Sequence, residues 1–208
     1  MNTPENTSPE LANVEVHGLT RSSFILKGAL AAGAAYGASA VAPFVGNALA
    51  ASPDVDILNF ALTLEYLETD FYQRKGRTVG LSGQAKSLAR SFGDEEAEHV
   101  AALTKAITAS GGRPVKRPMF VFPGRDQKSF LKLAYVLENT GVGAYNGAAP
   151  SLQSRALLAA AGSIVQIEAR HAASIALLTG MSITPNGAFD KPLTKKQVLA
   201  AAGPLIKA

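Results

Sequence analysis

Residues 54–72 read DVDILNFALTLEYLETDFY. Ile57, Leu58, Phe60, Ala61, Leu64, Leu67 and Phe71 recur at helical spacing and form one apolar stripe, which predicts an amphipathic helix. Asp54, after Pro53, is the expected N-cap, and Gly76 and Gly80 are expected to close the segment. Glu65 falls inside the stripe, among Ala61, Leu64 and Leu67. A lone carboxylate there is costly unless it is paired or bound to a metal.

Moving outward, a second helix is expected from Ser82 to Ser110, with Leu88, Phe92, His99, Leu103 and Ile107 on one face. The stretch GGRPVKRPMFVFPGRD (111–126) follows, with three prolines and four basic residues. It is too long for a tight hairpin and reads as a crossover, with the apolar Met119-Phe120-Val121-Phe122 lying along the bundle. A third helix is expected from Asp126, as cap, to Ala148. Pro150 opens a fourth, Ser151 to Leu178, stopped by Gly180. The tail, 181–208, carries turn residues and one short helix, Thr194 to Ala202. Two helical hairpins joined by a long connection predict an all-α, four-helix bundle over residues 51–180, with the tail packing on it.

The two hairpins repeat. Glu96-Ala97-Glu98-His99 and Glu168-Ala169-Arg170-His171 are both E-x-x-H, and that spacing puts Glu and His on one helix face within reach of a shared ion. Glu is 10 of 208 residues, so a given His has Glu three residues before it about 5% of the time. Two such pairs by chance are rare. Each pair also has an upstream glutamate at a matching distance, Glu65 for the first and Glu138 for the second. LEYLETDFY (64–72) and LENTGVGAY (137–145) share Leu, Glu and a terminal tyrosine, Tyr72 and Tyr145. Glu168 is surrounded in sequence by Ile164, Val165, Ile167 and Ala172. Glu65, Glu96, His99, Glu138, Glu168 and His171 are therefore the candidate metal ligands. Four carboxylates balance two divalent cations in a low-dielectric interior. Oxygen and imidazole donors without sulfur suit iron or manganese, and zinc also fits.

The same reading leaves other residues to ordinary roles. Glu68, Glu95 and Glu98 are expected to be surface charges. Tyr72 and Tyr145, each seven residues from a candidate glutamate on the same face, are expected to pack at the ends of the bundle with their hydroxyls in water, the alternative being a hydrogen-bond partner or radical-prone site beside the metals. Gly141 and Gly143 are expected to let helices approach closely, the alternative being that they open space beside the metals.

Composition narrows the function. Hydrophobic residues are 47% of the chain, enough for a packed core. Cysteine is absent, which excludes disulfides, thiolate zinc, Fe–S clusters and cysteine nucleophiles, and there are three histidines. The net charge of +4 is too small for a dedicated nucleic-acid binder, and Arg113, Lys116, Arg117 and Arg125 read as solvated loop charges. No nucleic-acid partner is expected.

Residues 1–50 differ from the rest. Arg21 and Lys27 precede an Ala/Gly-rich apolar run from Gly28 to Val45, and Ala48-Leu49-Ala50 has the small-x-small form of a signal-peptidase site. This reads as an export signal, placing the mature chain in the periplasm or outside the cell, with a retained membrane anchor or a small-residue helix as the alternative. TRSSFILK resembles a twin-arginine signal, with Ser22 where the second arginine belongs. From residue 51 on, 18 Lys and Arg face 13 Asp and Glu, a basic surface suited to loose contact with an anionic envelope.

On ILNFALTLEYLETDFY, EEAEH, VGAY and EARHAA, the chain resembles the ferritin-like, di-iron-carboxylate superfamily. More closely, it looks like exported bacterial ferritin-like domain proteins related to desiccation-related proteins. The resemblance spans about Asp54 to Gly180 plus the tail. It implies Glu65, Glu96, Glu138 and Glu168 as carboxylate ligands and His99 and His171 as imidazole ligands of a dinuclear iron or manganese centre. Glu96 and Glu168 would bridge. It also implies redox work with O2 or peroxide, of ferroxidase, peroxidase or catalase-like type. The alternative is a non-catalytic stress or desiccation protein in which the metal is structural.

Overall fold

The computed structural model describes residues 54–207 and, upstream, residues 15–16 and 19–20. The upstream residues belong to a separate unit, where β1 (Glu15–Val16) pairs antiparallel with β2 (Leu19–Thr20). The rest of the expected export signal lies outside the described residues.

Four long helices make the bundle: α1 (Val55–Asp70), α2 (Gly83–Ala109), α3 (Gln127–Ala148) and α4 (Arg155–Thr179). A short α5 (Lys195–Ala202) follows. α1 packs chiefly on α2 and α3 on α4, as two hairpins, and α5 lies against α3. The all-α expectation holds, with small corrections at the helix ends. α1 does not stop at Gly76. It runs through a π turn (Phe71–Lys75) and a last turn to Thr78, and the chain reverses at Gly80, whose φ of 66° suits glycine. Gly76 is buried against the Phe130 ring instead.

Asp54 is not a cap by its side chain. Its backbone is helical, and its buried carboxylate accepts hydrogen bonds from the backbone N–H groups of Gln153 and Ser154, both at 2.9 Å. This ties the start of α1 to the start of α4. Asp126 does cap α3, in a reciprocal capping box with Ser129. Pro150 does not open α4. It sits in a single 3-10 turn (Ala149–Ser151), the chain extends at Leu152, and Ser154 caps the helix from three residues before Leu157. Gly180 ends α4 in the left-handed conformation, as expected.

The crossover is partly a strand. β3 (Met119–Phe120) pairs antiparallel with β4 (Ile206–Lys207), so the tail and the crossover hold each other. Its side chains alternate as a strand requires: Phe120 and Phe122 are buried, and Met119 and Val121 face solvent. Only half of the apolar tetrad therefore lies on the bundle. The tail also packs at Leu193, whose N–H donates to the Gly143 carbonyl at 2.8 Å, and at Lys195, whose ammonium lies 5.0 Å from the centre of the Phe60 ring. Among the described residues, no helix is long and apolar enough to cross a membrane.

The described residues form two buried apolar clusters. One holds Leu67, Phe71, Tyr72, Phe92, Phe122 and Phe130, with Phe71 stacked on Phe130 at 4.3 Å between ring centres. The other holds Leu58, Leu62, Leu103, Ile107, Tyr145 and Ile164. Each cluster contributes one tyrosine whose hydroxyl reaches a buried carboxylate.

Candidate metal centre

Each of the four long helices brings one glutamate to the bundle interior. Glu65 (α1), Glu96 (α2), Glu138 (α3) and Glu168 (α4) all have 0% of their surface exposed. α2 and α4 add His99 and His171 one turn later. The structure thus brings together all six residues singled out from sequence. They form two overlapping quartets, Glu65, Glu96, His99 and Glu168, and Glu96, Glu138, Glu168 and His171, with the donor atoms of each within 4.8 Å of one another. Glu96 and Glu168 belong to both.

The histidines turn Nδ1 inward. His99 Nδ1 lies 2.9 Å from Glu96 Oε2, 3.2 Å from Glu65 Oε2 and 3.3 Å from Glu168 Oε1. His171 Nδ1 lies 2.9 Å from Glu96 Oε1 and 3.3 Å from Glu138 Oε2. One oxygen of Glu96 therefore faces each imidazole.

The tyrosines overturn the expectation of wet hydroxyls. Both are buried, and each donates across the repeat: Tyr72 of α1 to Glu138 Oε1 of α3, and Tyr145 of α3 to Glu65 Oε1 of α1. Burial, with the nearby carboxylates, holds both phenols well above their ordinary pKa, so they remain donors.

Two acids placed on the surface from sequence belong here as well. Glu68 is 3% exposed and follows Glu65 at the same i,i+3 spacing as E-x-x-H. Glu95 is half exposed, but its Oε2 lies 2.5 Å from His171 Nε2. It thereby orients the imidazole with Nδ1 turned inward. Glu98 is exposed, as expected. The two glycines part company. Gly143 meets the tail at Leu193 rather than another helix, whereas Gly141 makes room for carboxylates.

Electrostatics follow from burial and crowding. Burial lifts Glu65 to about 7, although His99 works against it. Burial and then the neighbouring glutamates push Glu68 and Glu168 well above the usual range, and burial raises Glu138 against the pull of His171. Glu96 goes the other way: burial opposes ionisation, but the contacts from His171 and His99 outweigh it and keep the group below its ordinary value. Burial would lower His171, yet Glu138, Glu95 and Glu96 lift it to about 12. Five crowded carboxyls can share this interior only by holding protons or cations.

The donor set fits a pair of metal ions. Glu96 Oε1, Glu138 Oε2, both oxygens of Glu168 and His171 Nδ1 are buried and make no hydrogen bond of good geometry, although most of them stand within ion-pair distance of a neighbour in the cluster. Native interiors rarely leave such atoms unsatisfied, and all five atoms lie on residues of the two quartets.

A four-helix bundle of two hairpins, with E-x-x-H on one helix of each and a single glutamate on the other, defines a class of metal-binding bundles. The family model described as ferritin-like domain matches residues 53–181. The chain belongs to the ferritin-like domain family. No curated protein matches it.

Proposed function

We propose that this is an exported redox protein with a dinuclear iron or manganese centre. Glu65 and His99 would hold one ion, Glu138 and His171 the other, and Glu96 and Glu168, which belong to both quartets, would be shared between them. The observation that carries this reading is the convergence of six buried or nearly buried carboxylate and imidazole groups from four helices, with unsatisfied donor atoms on three of those helices. The leader motif, with Arg21 and Lys27 before a small-residue apolar run, supports export.

When bound, such ions exchange electrons with O2 or peroxide. The chain's own residues supply the surroundings. The two apolar clusters exclude water, which strengthens every charge interaction inside. Tyr72 and Tyr145 each occupy one oxygen of a terminal glutamate and leave the other facing a histidine, Glu65 Oε2 toward His99 and Glu138 Oε2 toward His171. Glu95 fixes His171, and Glu68, with its raised pKa, holds a proton at the edge of the cluster.

The decisive measurement is metal content of protein purified from its own host, beside the His99→Ala, His171→Ala double variant. The expected result is two ions per chain in the parent and none bound stoichiometrically in the variant, with helix content kept. Two ions retained by the variant would falsify the centre. The second reading, a structural metal in a stress protein, draws on the complete burial of four glutamates. It is separated by exposing iron- or manganese-loaded protein to O2 and peroxide, where it requires no consumption and no optical change.

A further inference from the structure

Where α1 passes into α2, a pocket of about 350 Å³ opens to solvent at the end of the bundle. Ligand pockets measure about 300–1,000 Å³, so this one has room for a small molecule. Three of its lining residues are cations: Arg77 from the last turn after α1, and Lys86 and Arg90 from the first turns of α2. A single lining residue, Asp94, is an acid. Other cations at this end are occupied. Arg74 and Arg117 reach Asp70, and Lys75 donates to the Gly124 carbonyl. Arg77, Lys86 and Arg90, by contrast, make no ion pair or side-chain hydrogen bond among the described residues.

The cations stand where the helix does not favour them. A helix N-terminus carries partial positive charge and is stabilised by nearby acids. α2 has no acid in its first turn and places Lys86 there, with Arg90 one turn further along the same face. An anion in the pocket offsets both the repulsion among the cations and the uncompensated end of the helix. The placement also selects its form. Lys86 and Arg90 are about 6 Å apart along the axis, and Arg77 belongs to another element. Charge is thus spread around the walls, which suits a ligand whose acidic groups are several ångströms apart. Leu81 and Ala89 supply apolar wall for a short carbon frame between them. Tyr72 lines the pocket too, while its hydroxyl donates to Glu138, so one side chain joins the pocket to the candidate centre.

We propose that this pocket binds a small organic polyacid, a molecule with two or more carboxylate or phosphate groups on a short carbon frame. The site does not rest on the dinuclear reading. The test is calorimetric titration of the full-length protein at about 0.15 M ionic strength, where loose surface attraction is largely screened. Propane-1,2,3-tricarboxylate and fructose 1,6-bisphosphate are the probes, and inorganic phosphate is the compact comparison. One equivalent of at least one probe should bind, and the tighter of the two assigns the acidic group. The double variant Lys86→Gln, Arg90→Gln should weaken binding about tenfold or more, as loss of charged hydrogen-bond partners does. Asp94→Asn, which removes the opposing charge, should tighten it. Arg125→Gln, outside the pocket, should leave it unchanged. All four side chains are exposed, so the fold does not depend on them. Backbone NMR signals of Gly76, Leu81 and Ala89 should shift on titration, and that of Gly112, beyond the other end of α2, should not. Binding of neither probe, inorganic phosphate bound as tightly as the better probe, or equal losses in Arg125→Gln and the double variant overturns the proposal. Binding that survives the pocket variants and is lost in His99→Ala, His171→Ala would place the ligand on a metal and overturns it as well. Binding kept in that histidine variant supports the pocket, whatever becomes of the dinuclear reading.

Discussion

The carboxylate of Glu68 reaches the space that Gly141 leaves by having no side chain. A Cβ at Gly141 would stand 3.5 Å from Glu68 Oε1 and 2.9 Å from Glu168 Oε2. The two residues occupy matching places in the repeat, each three positions after the single glutamate of its hairpin, Glu65 or Glu138. One half carries an acid there, and the other carries the room for it.

Gly141→Ala sets two effects against each other. Alanine gains up to about 1 kcal/mol over glycine inside a helix. Crowding a packed interior costs about 1–3 kcal/mol, and here the crowded atom is a buried carboxylate oxygen that cannot swing into water. The expected outcome is net destabilisation and metal below the parent's content, read by urea unfolding and elemental analysis. A variant more stable than the parent with full metal would show that the gap has no role.

Tyr72→Phe and Tyr145→Phe each remove one donor from a buried glutamate and keep the ring. Each should cost about 1–3 kcal/mol of stability, because a buried acceptor loses its partner. Urea midpoints measure this, and values within error of the parent would mean that the hydroxyls are not bonded to Glu138 and Glu65 in solution.

Glu95→Ala should weaken metal binding by about 10–100-fold, as loss of a histidine's outer partner commonly does. The matching position in the second hairpin is Ile167, so Ile167→Ala should leave affinity near the parent value. Calorimetric titration of both variants checks the contrast, and equal effects would deny Glu95 its orienting role.

The metal-free protein should be most stable in mild acid. Glu65 holds its proton up to about pH 7 when folded and to about 4.5 when unfolded, so its contribution declines as pH rises between them. His171, at about 12 folded against 6.5 unfolded, contributes fully below 6.5 and progressively less above it. Glu96, with its depressed value, loses its contribution only as pH falls below the ordinary carboxylate range. Metal ions replace those protons, so their stabilisation grows with pH. The gap in melting temperature between loaded and metal-free protein should widen from about pH 5 to about pH 8. A constant gap would mean that cations do not displace protons from these groups.

Much of this was legible in the sequence. Helical periodicity located the four helices, and the paired E-x-x-H motifs with their upstream glutamates located all six central side chains. Glu68 was also within reach, since EYLE (65–68) repeats the spacing used to pair Glu96 with His99, yet an acid one turn beyond a stripe looks like a solvated charge. Glu95 was not readable, because its neighbour His171 lies 76 residues away on another helix. The tyrosine donations cross between hairpins, and β3 pairs with β4 over more than 80 residues of chain. Such partners are set by tertiary packing, about which local pattern is silent. The start of α4 was misplaced because Pro150 suits a first helical turn and a 3-10 link equally well.

Each hairpin owns three of the six donors and one of the two phenols, and each phenol serves a glutamate of the other hairpin. Neither half is a small version of the finished cage. Two identical copies of one such hairpin, facing each other about a two-fold axis, would however supply the full complement. The present chain has the form of two such copies on one polypeptide, with Glu68 against Gly141 and Glu95 against Ile167 marking where the halves are not equivalent.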